Sequence, residues 1–355
     1  MNVAVVGVGL IGGSIGLAAR ARLGASVRGY DPDSEVVHAA LERGALDVSA
    51  SSIAEAVAGA GVAFVAAPVG ALPDAIAEAL AAAPEDCAVS DVGSTKRAIV
   101  SSQSDPRFIG GHPLAGAETA GVANARADLF DGATWYLTPV QQTSGVHYER
   151  LHRALVGFGA RPTAVDAELH DRLMATVSHL PHVLANVLAS QAAGAIDAGE
   201  PVPATGPSFR DATRVAGANS AIWTDIYLSN RDALVAEIDG TVERLQAVRG
   251  ALAAADANAI AAWNDAARVH RESLLGAGLA GGPVHELRAS VPNRPGVVAE
   301  IALALGRAGV NIVDMTLSPS PDGSQGVVAL WVQGDVDADR AQDLMAALEI
   351  PVARA

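Results

Sequence analysis

Apolar positions follow two rhythms along this chain, and the change between them divides it. From Asn2 to about Asp166, short β-branched runs alternate with Ala- and Leu-rich stretches of helical length. Strands are predicted at Val3–Gly7, Ser26–Asp31, Val62–Ala67, Ala88–Asp91, Phe108–Gly110 and Thr134–Thr138, with a helix from Gly12 to Leu23. Strands alternating with helices predict an α/β domain with a doubly wound parallel sheet over residues 1–166. From about Ala167 the strand-like alternation stops. Long helical stretches follow at Leu169–Ile196, Ala221–Arg249 and Asp256–Leu275, and Pro201, Pro203 and Pro207 part the first from the second. This predicts an all-α domain over residues 167–280. Its Ala, Leu and Val content exceeds what one bundle needs, so a homodimer through this domain is expected.

Gly276–Pro283 (GAGLAGGP) reads as a linker. Residues 284–355 then read strand (Glu286–Val291), helix (Gly296–Ala308), strand (Asn311–Leu317), strand (Gly326–Val332), helix (Ala338–Leu348) and a last strand at Pro351–Ala355. The order βαββαβ predicts a small ferredoxin-like domain.

Composition narrows the function classes. The 355 residues carry 39 acidic and 24 basic side chains, a net charge of −15. That balance argues against nucleic-acid and anionic-membrane partners, which need basic surface. A hydrophobic fraction of 50% supports a packed core, although alanine inflates it and aromatics are only 4%. One cysteine, Cys87, leaves no disulfide framework and no cysteine zinc site, and fits a reducing compartment. Arg20 and Arg22 interrupt the first apolar run before membrane-spanning length. A cytoplasmic protein is expected.

The first chemical signal is Gly7-Val8-Gly9-Leu10-Ile11-Gly12, a GxGxxG between a strand and a helix. One glycine makes the tight turn, the next lets a pyrophosphate approach the backbone, and the third lets helix and strand pack closely. The helix N-terminus offers free N–H groups to the phosphates. Asp31 follows Gly12 by 19 residues at the end of the second strand, where a carboxylate takes the adenosine ribose hydroxyls and repels the 2′-phosphate of NADP. A Rossmann domain with NAD as cofactor is expected. Ala67 and Pro68 close a further strand at the same edge, with Pro68 either a strand stop or a brace beside the cofactor.

Three more segments carry polar residues that packing does not explain. In Asp91–Lys96 (DVGSTK), Ser94 is either a helix N-cap or a donor to the substrate hydroxyl and nicotinamide. In Gly110–Glu118 (GGHPLAGAE), His112 stands between glycines and a proline at a strand end, where an imidazole suits proton abstraction near neutral pH. In the helical domain, His179 and His182 lie one turn apart, and Arg210 and Arg214 have i, i+4 spacing. Paired guanidiniums suit carboxylate binding, the alternative being surface ion pairs with Asp211 or Asp225. No convincing metal-ligand set emerges.

These motifs, in this order, resemble the prephenate dehydrogenase family of tyrosine biosynthesis: GVGLIGGS, DVGSTK, GGHPLAGAE, SHLPH and FRDATRVAGANSAIWTDIYLSNR. The stretch PNRPGVVAEIALALGRAGVNI resembles an ACT domain, a ligand-sensing module of amino-acid metabolism. The resemblance implies that His112 takes the C4 hydroxyl proton of prephenate and that Ser94 orients that hydroxyl and the nicotinamide. It implies that Arg214 binds the ring carboxylate and Arg210 the side-chain carboxylate. His179, His182 and Trp223 would line the substrate pocket, with Glu118 at its entrance. Ala117 stands where many relatives have Thr or Ser. The implied reaction is oxidative decarboxylation by NAD+ without a metal, with arogenate as the alternative substrate. Asn293, Pro295, Gly296, Gly309 and Asn311 would hold an amino-acid effector, L-tyrosine, at an ACT–ACT contact, although Gly309 also fits a simple helix stop. A β-hydroxyacid dehydrogenase fits less well, because those enzymes use a lysine of the helical domain and the sole lysine here is Lys96. A non-catalytic NAD- and amino-acid-sensing protein is the remaining alternative.

Overall fold

The computed structural model describes residues 1–115, 120–197, 205–276, 283–292, 294–320 and 325–354. The chain folds into two compact units, Met1–His170 together with Pro283–Ala355, and Asp171–Gly282. The expected linker falls largely at 277–282 and, like Pro201 and Pro203, lies outside the described residues.

The first unit begins with β1 (Asn2–Val6), α1 (Leu10–Leu23), β2 (Ser26–Tyr30), α2 (Ser34–Glu42), β3 (Val48–Ser49), α3 (Ile53–Val57), β4 (Val62–Val65), α4 (Leu72–Ala82), β5 (Ala88–Asp91), α5 (Arg97–Ser101) and β6 (Phe108–Pro113). It continues with β7 (Thr134–Thr138), α6 (Gly145–Gly157), β8 (Arg161–Ala164) and α7 (Ala167–Met174), and the unit boundary falls inside α7. The eight strands form one sheet in the order β3-β2-β1-β4-β5-β6-β7-β8. β4 and β5 are buried along their whole length, which is why they read as unbroken apolar runs. The order reverses between β1 and β4, and a crevice opens at the carboxyl ends of strands at such a switch point. β7 runs antiparallel to β6, and β8 runs parallel to β7, so the last two strands oppose the other six. The predicted first helix starts two residues early, at Leu10. The sixth strand runs on to Pro113 and takes His112 into the sheet.

Residues 283–354 form the smaller sheet: β9 (Val284–Pro292), α13 (Val297–Arg307), β10 (Ile312–Pro319), β11 (Gln325–Gln333), α14 (Asp335–Ala347) and β12 (Val352–Arg354); helices α8 to α12 belong to the second unit. The strand order is β10-β11-β9-β12, antiparallel throughout. This module packs against the first sheet's own elements. A Cβ on Gly306 of α13 would run into the Ala164 carbonyl oxygen of β8, and one on Gly145 of α6 would lie 2.7 Å from the Val298 side chain. Gly296 takes a left-handed φ of 85° and donates its N–H to the Thr143 carbonyl at 3.3 Å. Arg307 pairs with Asp166 at 2.9 Å.

The second unit holds the end of α7, a π-helical turn at Ala175–His179, α8 (Leu180–Asp197), α9 (Pro207–Thr213), α10 (Ser220–Ser229), α11 (Arg231–Ala253) and α12 (Ala257–Gly276). The π turn divides what the periodicity predicts as one helix. Much of the unit's apolar surface is open: Leu228, Leu245, Leu252 and Trp263 are all more than half exposed. Among the described residues, no helix is long and apolar enough to cross a membrane.

His152 sits fully buried on α6, where α6 packs on β10. Burial pushes its pKa down to about 4, against the pull of Asp314 on β10. Protonation therefore favours the unfolded chain, whose histidine titrates near 6.5. The contribution is fully present above that value and is lost as pH falls toward 4. By pH 5 about 2 kcal/mol of it is lost. Urea unfolding at pH 7 and pH 5 should show His152→Leu losing about 2 kcal/mol less than the parent chain over that interval. Equal losses would contradict the burial argument.

Candidate active site

The three motif glycines meet three different constraints. Gly7 has a φ of 87°, and a Cβ there would lie 2.5 Å from the Ala66 carbonyl oxygen at the end of β4. A Cβ on Gly12 would run into the Gly7 carbonyl, so close packing of α1 on β1 requires glycine. A Cβ on Gly9 meets nothing within 4 Å: Gly9 faces open space. It is the N-cap of α1 and supplies no side-chain cap, so the first-turn N–H groups, including those of Leu10 and Ile11, face outward for an anion. The Asp31 carboxylate accepts from Val8 N at 2.8 Å and from Asp33 N at 3.0 Å. Each oxygen retains acceptor capacity for a ribose hydroxyl. Ala67 is half-buried, while Pro68 is exposed and opens a short turn closed by Ala71 N at 2.9 Å. The open space at Gly9, the uncapped helix end and the half-satisfied carboxylate fit a dinucleotide.

Ser94 lies at the carboxyl end of β5. Of its two sequence-level readings the capping one fails: α5 starts at Arg97, its N-cap is Lys96, and no side chain caps it. The Ser94 hydroxyl makes no hydrogen bond among the described residues, which leaves it for a ligand. Behind it Asp91 and Lys96 form an ion pair with both side chains fully buried.

His112 lies on β6, opposite Tyr136 of β7. Its Nδ1 is 2.9 Å from Nε2 of His170 on α7. The rings meet edge to face at 5.1 Å, and Tyr136 packs on His170 at 5.6 Å. Burial pushes the Tyr136 phenol up, so it stays a neutral wall. When His112 donates Nδ1–H to His170, its Nε2 carries a lone pair, the form a general base requires. His170 and Tyr136 are absent from the sequence-level site. Their only signal is residue type, since His170 is one histidine on an amphipathic helix, 58 positions from its partner.

In the second unit, His182 and Trp223 stack with centroids 3.5 Å apart, and His179 meets Trp223 edge-on at 6.1 Å. His179 lies in the π turn and is buried, with Nδ1 3.2 Å from the Asn230 amide nitrogen, which donates to the Asp171 carbonyl at 2.7 Å. His182 and Trp223 help line a cavity of about 180 Å³ with Asn186, Ser220 and Tyr227. Burial, then the nearby Arg214 cation, hold His182 below the ordinary histidine pKa. Arg214 closes α9, and Arg210 lies one turn earlier on its exposed face. The structure thus brings together His179, His182, Trp223 and Arg214 in this unit, and His112, Ser94 and the glycine cradle in the other.

In the small module, Pro295 is exposed and Gly296 is committed to residues 141–143, where its Cβ would strike the Gln141 carbonyl. Gly309, at a φ of 76°, faces open space, and Asn311 Oδ1 is buried without a hydrogen-bond partner. Glu118, Ala117 and Asn293 lie outside the described residues.

A dinucleotide cradle on a doubly wound sheet, with a strand histidine hydrogen-bonded to a helix histidine, defines a nucleotide-dependent oxidoreductase. Family models match as the prephenate dehydrogenase nucleotide-binding domain over residues 15–164, the prephenate dehydrogenase dimerization domain over 166–264, and an ACT domain over 285–349. The prephenate dehydrogenase of Bacillus subtilis is 32% identical over 98% of this chain and 96% of its own; that of Lactococcus lactis is 30% identical over 98% and 97%. The crystal structure of prephenate dehydrogenase from A. aeolicus with hydroxyphenyl propionate and NAD+ superposes with a TM-score of 0.71 at 27% identity, covering 77% of this chain and 98% of that one. Synechocystis arogenate dehydrogenase gives 0.67 at 25%, covering 77% and 100%. This chain belongs to the prephenate dehydrogenase family.

Nitrogen NMR of histidine-labelled protein above pH 7 should show His112 protonated on Nδ1 and bare on Nε2. The opposite tautomer would fit the same contact with His170 as donor and would contradict His112 Nε2 as the proton acceptor.

Proposed function

We propose that this protein catalyses the NAD+-dependent oxidative decarboxylation of prephenate to 4-hydroxyphenylpyruvate in tyrosine biosynthesis. The observation that carries the reading is the His112–His170 hydrogen bond on the sheet that bears the dinucleotide cradle. It supplies an oriented base in a chain of which 98% aligns with the prephenate dehydrogenase of Bacillus subtilis.

When bound, NAD+ supplies the acceptor for the hydride that leaves ring C4. Gly7, Gly9, Leu10, Ile11 and Gly12 hold its pyrophosphate, Asp31 its adenosine ribose, and Ala67, Pro68 and Ser94 its remaining edge. His112 Nε2 takes the C4 hydroxyl proton, and His170 holds the ring and receives its Nδ1–H. Ser94 orients the hydroxyl. The new carbonyl is conjugated to the ring, so the bond from C1 to its carboxylate breaks and carbon dioxide leaves. The bond's electrons pass into the ring, and the phenolate oxygen takes the proton back from His112. Aromatisation makes the sequence irreversible, so the protein's work is positioning and one proton transfer.

Arg214 pairs with the ring carboxylate and Arg210 with the side-chain carboxylate. His179, His182 and Trp223 wall the pocket, and Glu118 is assigned to substrate binding by the family resemblance alone. Three functional divisions follow: residues 1–166 bind NAD, 167–280 bind substrate and dimerise, and 284–355 sense an effector. The exposed leucines of α10 and α11 support burial in a homodimer. The open surroundings of Gly309 and the unpartnered Asn311 amide support an amino-acid effector, which we take to be L-tyrosine. Cys87, buried and with its thiol pushed up to about 12, is inert and suits the cytoplasm.

Purified protein should form NADH from prephenate and NAD+, with a lower kcat/KM for arogenate and inhibition by L-tyrosine. His112→Ala should lower kcat by about 10²–10⁴-fold, the usual share of one general base. Preference for arogenate would reassign the substrate. NAD+ binding without turnover of either would overturn the reading.

A further inference from the structure

Asp91 and Lys96 present a fully buried ion pair that the reaction above does not use. Such a pair is weak support for stability, because an apolar pair of similar volume is often as stable or more so. Its placement indicates another purpose. The β5–β6 ladder stops at the register Ser90↔Ile109. Beyond it, Gly110 to Pro113 pair only with β7 on the other side. No strand hydrogen bond then joins the end of β5 to the segment that carries His112.

The Asp91 side chain takes over where the ladder ends. Its Oδ1 accepts the Gly111 N–H at 3.0 Å, and its Oδ2 accepts the Gly93 N–H at 2.8 Å together with the Lys96 ammonium. Gly93 directly precedes Ser94, and Gly111 directly precedes His112. One carboxylate thus grips the backbone just ahead of both residues assigned to the substrate hydroxyl. The glycines let it do so: a Cβ on Gly111 would lie 2.6 Å from the Asp91 carbonyl oxygen, and one on Gly93 2.9 Å from Asp91 Oδ2. Lys96 pairs with the same carboxylate oxygen that accepts from Gly93, which leaves the other oxygen to Gly111.

We infer that Asp91 and Lys96 are positioning residues, a buried clamp that sets the distance between Ser94 and His112 and touches neither substrate nor cofactor. The inference rests on the function proposed above for its kinetic consequence, while its geometric content stands apart from it. Misplacement of reacting groups by about 1 Å can cost about 10²-fold in rate.

The test is the double variant Asp91→Asn with Lys96→Met in the full-length protein. It removes both charges together, so it strands neither and leaves the net field nearly unchanged. The clamp account expects kcat for prephenate to fall about 10²-fold, a larger change than any in KM for NAD+. It also expects the NMR titration midpoint and tautomer signature of His112 to move. A merely structural lesion lowers the folded fraction, scales the rate in proportion and leaves the His112 signals of the folded protein in place; that result would overturn the clamp. A second measurement needs no variant. In the parent chain the Gly93 and Gly111 amides should exchange with deuterium as slowly as the β4 core, and fast exchange of both would overturn the inference. Failure of the proposed reaction would appear instead as no turnover by the parent protein, with both NMR readouts unaffected.

Discussion

Parallel strands splay at their carboxyl ends, and their ladder bonds give out where a ligand crevice opens. In this protein two aspartates hold that edge together. Asp31, just past β2, accepts from Val8 of the glycine loop, and Asp91, at the end of β5, accepts from Gly93 and Gly111. Asp31 extends the pairing of the glycine loop with β2 one step past the Gly7 N–H to Tyr30 carbonyl bond, and Asp91 reaches Gly111 beyond the last β5–β6 register pair. The cofactor cradle depends on the first, and the spacing of Ser94 and His112 on the second. Glycines recur along this edge because acceptors and carbonyls approach the backbone closely, and a Cβ at Gly7, Gly12, Gly93 or Gly111 would meet them at 2.9 Å or less.

The small C-terminal module is built into the same unit. It packs on α6 and β8, and Arg307 pairs with Asp166. Asp166 also accepts from Leu169 N at 2.7 Å, in the first turn of α7, the helix that carries His170. A residue of the small module therefore touches the aspartate that accepts from the first turn of the helix carrying His170. Across another part of the same contact, the charge of Asp314 on β10 pulls the His152 pKa up against its burial.

The local signals in the sequence were legible and the long-range ones were not. The glycine motif is read from spacing alone, since its constraints act within one strand-turn-helix. The βαββαβ order of the module was legible too, including the last strand, now β12. The prediction missed β3, which has two residues, and β8, whose RPTA run offers little β-branched pattern. The reversal of β7 leaves no trace in periodicity, because a buried strand looks alike in either direction. The π turn at Ala175–His179 is invisible for a similar reason, since one extra residue shifts the helical phase without changing composition. His112 and Ser94 stood out by their settings, whereas His170 and the double grip of Asp91 arise only when distant segments meet. The Ser94 alternative needed the structure as well, because the start of α5 at Arg97 decides it.

The central claim is that His112, held by His170, is the base that takes the substrate's hydroxyl proton. The most direct test is the pH dependence of kcat/KM for prephenate, measured for the parent chain and for His112→Ala. The account expects the parent's rate to fall on the acid side as one histidine takes up a proton, and expects that limb to vanish in His112→Ala. An acid limb that persists unchanged in His112→Ala would assign the proton to another group and contradict the account.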